Sequence, residues 1–267
     1  MVESEHGGGR VVLAIDTGSL TTPTLEAAAA LALGLGSGLS ALFVEDERLL
    51  RVAALPFAHE IGFPSAQLQR IGLEEMERAF RIQAEHLRRL VGETAERLAL
   101  AWTIEVTRGE ILSASLARLT PRDLLVVGRG RPGRLELGGA PGRPGPFRAL
   151  AARPVIVLFD ESEAALRGLE AGCAIARVTA TDLMILFPAS GSATFEARRA
   201  RAGRWLAERG VAARHQGVPS GDIPALAAAI RAQGAGALVW PSPPDSDALP
   251  ALAALIELVS CPVVVLP

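Results

Sequence analysis

The sequence predicts an α/β protein of two related halves, each a mostly parallel five-stranded sheet with helices on both faces. Three observations predict it. Short, continuously apolar runs alternate with stretches of helical periodicity, the connections between them are short, and the pattern recurs once along the chain. Val11 to Ile15 is the first apolar run and ends at Asp16-Thr17-Gly18, as suits a parallel strand buried on both faces and followed by a turn. Leu25, Ala28, Ala29, Ala32 and Leu35 then recur at helical spacing, and Gly34, Gly36 and Gly38 read as the stop of that helix. Leu39 to Val44 is the next strand, which completes a βαβ unit.

Residues 46–71 have little periodicity and read as an insertion. A long amphipathic helix follows, with Leu73, Met76, Phe80, Leu87, Val91 and Leu98 on one stripe and Glu–Arg pairs on the other face. Trp102 to Val106 is a strand, Gly109-Glu110 opens a helix, and Leu124 to Val127 is a buried strand that runs into a Gly/Arg/Pro loop. Pro154 to Phe159 reads as the closing strand of the first half. The second half answers the first: Gly109-Glu110-Ile111 with Gly221-Asp222-Ile223, Val126-Val127 with Leu238-Val239 in ungapped register, and Arg153-Pro154-Val155 with Cys261-Pro262-Val263. The expected division is 1–160 and 161–267. Residues 155–160 also look like a first strand, because VIVLFD resembles VVLAID and ends on an aspartate. The second half is therefore expected to be a strand short, or to share that strand.

Composition excludes several functions. With 267 residues, 49% hydrophobic and 21% charged, the chain is globular rather than disordered. A net charge of −2 offers no general attraction to nucleic acid or an anionic membrane, and no apolar run is long enough to span a bilayer. The absence of lysine excludes a Walker A loop and any Schiff-base lysine. Cys173 and Cys261 lie far apart with no histidine cluster near them in sequence, and read as buried thiols of a reducing, cytoplasmic compartment. No Ser/His/Asp or Cys/His arrangement is recognisable, so neither catalytic nor metal-ligating residues are expected.

The loop from Gly128 through Gly130, Arg131, Gly133 and Gly142 to Arg143 leaves the carboxyl end of a buried strand, where open α/β sheets bind ligands. Its glycines can bring backbone N–H groups to an anion and its arginines can supply charge; equally, it can be a solvated surface loop. Asp16 stands at the same edge, where it can accept hydrogen bonds from a ribose or adenine, or cap the next helix. The matching point of the second half, Trp240-Pro241-Ser242-Pro243-Pro244-Asp245, has no glycine and carries an acid, and Asp160 stands as the counterpart of Asp16. Arg198-Arg199-Ala200-Arg201 reads as a solvated helix face.

The strand ending in Asp16-Thr17-Gly18-Ser19, the Val126-Val127-Gly128 that enters the loop, and the Arg/Cys-Pro-Val strands resemble the universal stress protein family. The likeness spans nearly the whole chain as two copies, the second degenerate. Leu42 to Asp46 and Leu55 to Ala58 are similar to a tandem proteobacterial subgroup. The resemblance implies two tandem adenine-nucleotide-α-hydrolase-like domains and a regulatory stress-response module rather than an enzyme. It implies ATP or AMP as ligand, with Asp16, Thr17 and the backbone at Val44 on the adenosine and Gly128, Gly130, Arg131, Gly133, Gly142 and Arg143 toward the phosphates. The loop departs from the family's Gly-x2-Gly-x9-Gly-Ser/Thr spacing: nine residues past Gly133 stands Arg143 instead of glycine. The resemblance is compatible with a monomeric pseudo-dimer or a homodimer. The alternative is a ligand-free scaffold that meets an unknown protein partner through 46–71, where Leu55, Phe57, Ile61 and Phe63 lie.

Overall fold

The computed structural model describes residues 9–17, 19–55, 59–62, 67–70, 72–128, 146–189, 191–241 and 248–267. β1 (Val11–Ile15) is buried along its whole length and leads to α1 (Thr22–Leu35). Thr21 caps α1 and Pro23 sits in its first turn, where a missing N–H costs nothing. Gly36 ends the helix in the left-handed region at φ 62°. Gly34 is not part of the stop. It lies inside α1, and β2 (Leu39–Asp46) follows.

The segment expected to be irregular contains α2 (Glu47–Ala53) and a hairpin of β3 (His59–Gly62) and β4 (Gln67–Arg70). α3 (Leu73–Arg97) follows the amphipathic stripe with Phe80, Leu87 and Val91 buried, but Leu73, at its first turn, is exposed. β5 (Trp102–Gly109), α4 (Ile111–Leu116) and β6 (Leu124–Val127) complete the first set. The second set runs β7 (Val155–Leu158), α5 (Glu163–Thr179), β8 (Leu183–Ala189), α6 (Ser192–Ala207), β9 (Arg214–Pro219), α7 (Ile223–Ala232), β10 (Ala237–Pro241), α8 (Ala248–Leu258) and β11 (Val263–Leu266).

Nine strands form one sheet in the order β5-β2-β1-β6-β11-β10-β7-β8-β9. All neighbours are parallel except β6 and β11, where Val127 faces Val263 and Leu125 faces Val265. The two sets wind alike: β5-β2-β1-β6 in the first corresponds to β9-β8-β7-β10 in the second. This is the recurrence that the sequence predicts, carried into topology.

The missing strand falls in the other half from the one expected. β7 pairs with β8 and β10, so it is the first strand of the second set and does not close the first. The second set has five strands, the first has four, and the place beside β6 is filled by β11. Arg153-Pro154-Val155 and Cys261-Pro262-Val263 therefore match in sequence while standing at different positions in the sheet. The physical reason is that both strands are apolar and buried on both faces, so composition suits either gap equally.

Alternate residues of each strand feed two cores. Val11, Leu13 and Ile15 face α1, α3, α5 and α6, whereas Val12 and Ala14 face the side of α4, α7 and α8. Both cores run through both halves. On the first face α1 packs on α5, and Gly34 makes the close approach possible: a Cβ there would lie 2.7 Å from the carbonyl oxygen of Ala174.

Candidate functional site

The chain turns outward from β1 to β2 and β5, then returns to the other side of β1 as β6. The carboxyl edge between β1 and β6 is thus a topological switch point, where open α/β sheets bind ligands. β1 stops at Ile15, opposite Phe43, while β2 and β5 continue together to Asp46 and Gly109. The result is a notch beyond the end of β1, bordered by the last residues of β2.

Asp16 and Thr17 begin the turn at the floor of this notch. The Asp16 N–H donates to Ser19 Oγ at 2.8 Å. Asp16 does not cap α1; that position belongs to Thr21, whose Oγ1 accepts from Thr24 N–H at 3.3 Å. Val44 is fully buried, near the end of β2. Gly128 follows β6, and a Cβ there would lie 2.1 Å from Thr24 Oγ1. Glycine is needed at this point because the first turn of α1 lies against the end of β6. The structure thus brings Asp16, Thr17, Val44 and Gly128 to one edge. Gly130, Arg131, Gly133, Gly142 and Arg143 lie outside the described residues.

Three further side chains of this edge were not singled out in the sequence. Asp46 Oδ1 accepts from Arg48 N–H at 2.8 Å, which starts α2, and from Arg48 Nε at 3.2 Å. That bond raises the Arg48 pKa, with the Glu110 and Asp16 carboxylates close enough to add to the effect. Glu110 caps α4 by accepting from Leu112 N–H at 3.2 Å and Ser113 N–H at 2.9 Å. Burial pushes the Glu110 pKa up, but those bonds and one from the Ser113 hydroxyl outweigh it and leave the carboxyl below its usual range. Among the described residues, the Asp46, Glu110 and Asp16 carboxylates thus lie near one guanidinium. The signal for Asp46 and Glu110 was their position just before helical runs, which marks N-caps.

Glu26 was also missed. It is 8% exposed on the alanine-rich α1, and its Oε2 accepts from Ala149 N–H at 2.7 Å and Leu150 N–H at 3.3 Å, in the turn before β7. Burial raises its pKa more than the backbone N–H groups of 148–150 and the charge of Arg97 lower it.

The matching edge of the second half is differently furnished. Asp160 Oδ1 accepts from the Ser162 N–H at 3.0 Å and hydroxyl at 2.6 Å, and Ser162 caps α5. Glu161, at φ 75°, pairs with Arg198 at 3.5 Å, and Arg198 also donates to the Pro188 carbonyl. Trp240 is buried at the end of β10. Elsewhere, a cleft of about 480 Å³ lined by Cys173, Arg177, Asp182 and Arg214 opens at the amino edge of β8 and β9, far from either switch point. Burial raises both thiol pKa values, that of Cys261 to about 12, so neither is reactive near neutrality. Among the described residues no three His, Cys, Asp or Glu side chains come together as metal ligands, and no helix is long and apolar enough to cross a membrane.

No protein-family model matches the sequence, and no curated protein matches it. Solved structures do. A universal stress protein from Archaeoglobus fulgidus DSM 4304 superposes with a TM-score of 0.54 at 13% identity, covering 96% of this chain and 95% of that one. A universal stress protein from Pseudomonas aeruginosa UCBPP-PA14 covers 96% of this chain and 92% of its own at 16% identity, with a TM-score of 0.47. A universal stress protein in complex with cAMP covers 43% of this chain and 96% of its own at 19% identity, with a TM-score of 0.38. The first of these extends over nearly all of both chains, and the fold is that of a universal stress protein.

Proposed function

We propose that the chain is a universal-stress-protein-like regulatory module whose first half binds the adenosine part of an adenine nucleotide, AMP or ATP. The notch beyond β1 carries the reading: Asp16 and Thr17 at its floor, the backbone at Val44 along its side, and Gly128 against α1. Asp16 would accept from the ribose hydroxyls, and Thr17 and the β2 backbone would flank the base. Any charge meeting the phosphates would come from the loop that contains Gly130, Arg131, Gly133, Gly142 and Arg143. No catalytic role is assigned to any residue. The second half serves as structure, because Trp240 and the Glu161–Arg198 pair occupy its corresponding edge. We divide the chain where the strand pairing does, before β7, so that residues 155–160 go with the second unit.

Titration calorimetry of the full chain with AMP and ATP tests this, together with mass spectrometry of small molecules released from the purified protein. Binding of AMP that weakens by about tenfold or more in Asp16→Ala, equivalent to about 1.4 kcal/mol, is the expected result. An absence of heat at millimolar nucleotide would leave the scaffold reading. That second reading has its own observation, the exposed Leu49, Val52 and Leu55 on and just after α2.

A further inference from the structure

α1 carries one charged residue, Glu26, and the core encloses it: every residue from Thr24 to Ala32 is buried. A carboxylate in such a place needs a cation or several hydrogen-bond donors to remain there. Among the described residues Glu26 makes no ion pair, and the charge of Arg97 acts on it less than its hydrogen bonds do. What it has instead is backbone. Its Oε2 accepts from the N–H groups of Ala149 and Leu150, and the Arg148 N–H adds to them. These consecutive donors open a single helical turn, closed by a bond from Ala151 N–H to the Phe147 carbonyl at 3.1 Å. Successive N–H groups in a turn form a cradle for an anion. Here the chain supplies the anion itself, from a helix 123 residues earlier than Ala149. Phe147 and Leu150 pin the turn further by entering the core that α1 occupies.

Two residues before Glu26 stands Thr24, against which Gly128 is tightly packed. Gly128 and the turn at 147–150 flank the segment 129–145. Both therefore rest on α1, at positions about 3 Å apart along its axis. We infer that Glu26 is a positioning residue for the candidate ligand edge, fixing one end of the segment 129–145 to α1 as Thr24 fixes the other. The ligand in this inference is the one proposed above, because that segment holds the five glycines and arginines assigned to the phosphates. The anchor needs an acceptor oxygen at this place. Asp16 and Thr17, at the floor of the notch, do not depend on it.

Hydrogen exchange of the full chain at neutral pH, resolved to single amides, tests the anchor without nucleotide. In wild type the Ala149 and Leu150 amides should exchange at least about a hundredfold more slowly than in an unstructured peptide. In Glu26→Ala that protection should fall by about tenfold or more. Acetate at roughly 0.1 M should restore it by filling the vacated place, whereas chloride at equal ionic strength should not. Glu26→Gln keeps an acceptor and should stay close to wild type. Glu26→Leu fills the space without an acceptor, and carries the same expected loss should the alanine variant fail to fold. Titration calorimetry reads the consequence: AMP binding should weaken about tenfold in Glu26→Ala or Glu26→Leu, while adenosine binds as in wild type. Unprotected amides at 149 and 150 in wild type overturn the inference, as does protection unchanged in both variants that lack the acceptor. So does a folded variant in which AMP and adenosine binding fall alike, or in which neither falls. A wild type that binds neither ligand overturns the nucleotide reading instead, and the exchange measurements still decide the anchor.

Discussion

Glu26 is a carboxylate in a helix surrounded by alanines, and it survives there because two backbone N–H groups of the turn before β7 point at it. Removing the acceptor while leaving the donors buried is the costly change. Glu26→Ala is expected to destabilise by about 1–3 kcal/mol in urea unfolding, whereas Glu26→Gln keeps a carbonyl acceptor and costs less. The pH dependence has a definite sign. Burial raises the folded-state pKa above 4.5, so the folded protein holds this proton more tightly than the unfolded one. Its contribution is fully present below the unfolded value and is lost as pH rises through the folded value. Wild type should therefore lose stability relative to Glu26→Gln as pH rises from the ordinary carboxylate value through the raised folded-state one, and parallel urea titrations check this.

Gly128 is the second residue whose environment decides its identity. An added methyl would overlap Thr24 Oγ1, itself inside the first turn of α1. Gly128→Ala is expected to cost about 1–3 kcal/mol, and Thr24→Ala in the same chain should recover part of it. A double-mutant cycle on the unfolding free energies gives the coupling.

Among elements, the contact of α1 with α5 joins the halves on one face of the sheet. Gly34 is a poor helix former in the last turn of α1, and intrinsic propensity alone would favour alanine there by about 1 kcal/mol. The structure opposes that gain, because a Cβ would press on the backbone of Ala174 in α5, which has no rotamer to escape into. We expect Gly34→Ala to lower the melting temperature despite its better propensity, and a rise would show that α5 can yield. α3 is the other instructive element. Its buried stripe was legible from spacing alone, yet that spacing gives no account of its charged side.

At the scale of the whole molecule, β11 settles how the protein unfolds. It pairs with β10 of its own set and with β6 of the other, and both cores extend across the junction. The nine strands are one cooperative sheet, so calorimetry should give a single transition rather than one for each half. A chain ending after Val259 would leave the buried edges of β6 and β10 without partners; it is expected to be insoluble or aggregated, as exposed apolar edges are. A truncated chain that is soluble and melts cooperatively would show that the first half stands on its own four strands.

The amino-acid sequence by itself determined the α/β class, the order of the main strands and helices of the first half, the recurrence of that pattern in the second, and the edge at which Asp16 and Gly128 stand. Those features follow from periodicity and chain direction, which are local. What it could not decide was partner choice. Val155–Leu158 and Val263–Leu266 are both short apolar strands after an X-Pro pair, and only the assembled sheet assigns one to the start of the second set and the other to the gap beside β6. The hairpin within 46–71, the burial of Glu26 and the tight fit at Gly34 were hidden for the same reason. Each depends on groups distant in sequence, and side-chain periodicity records which face is buried without recording what covers it.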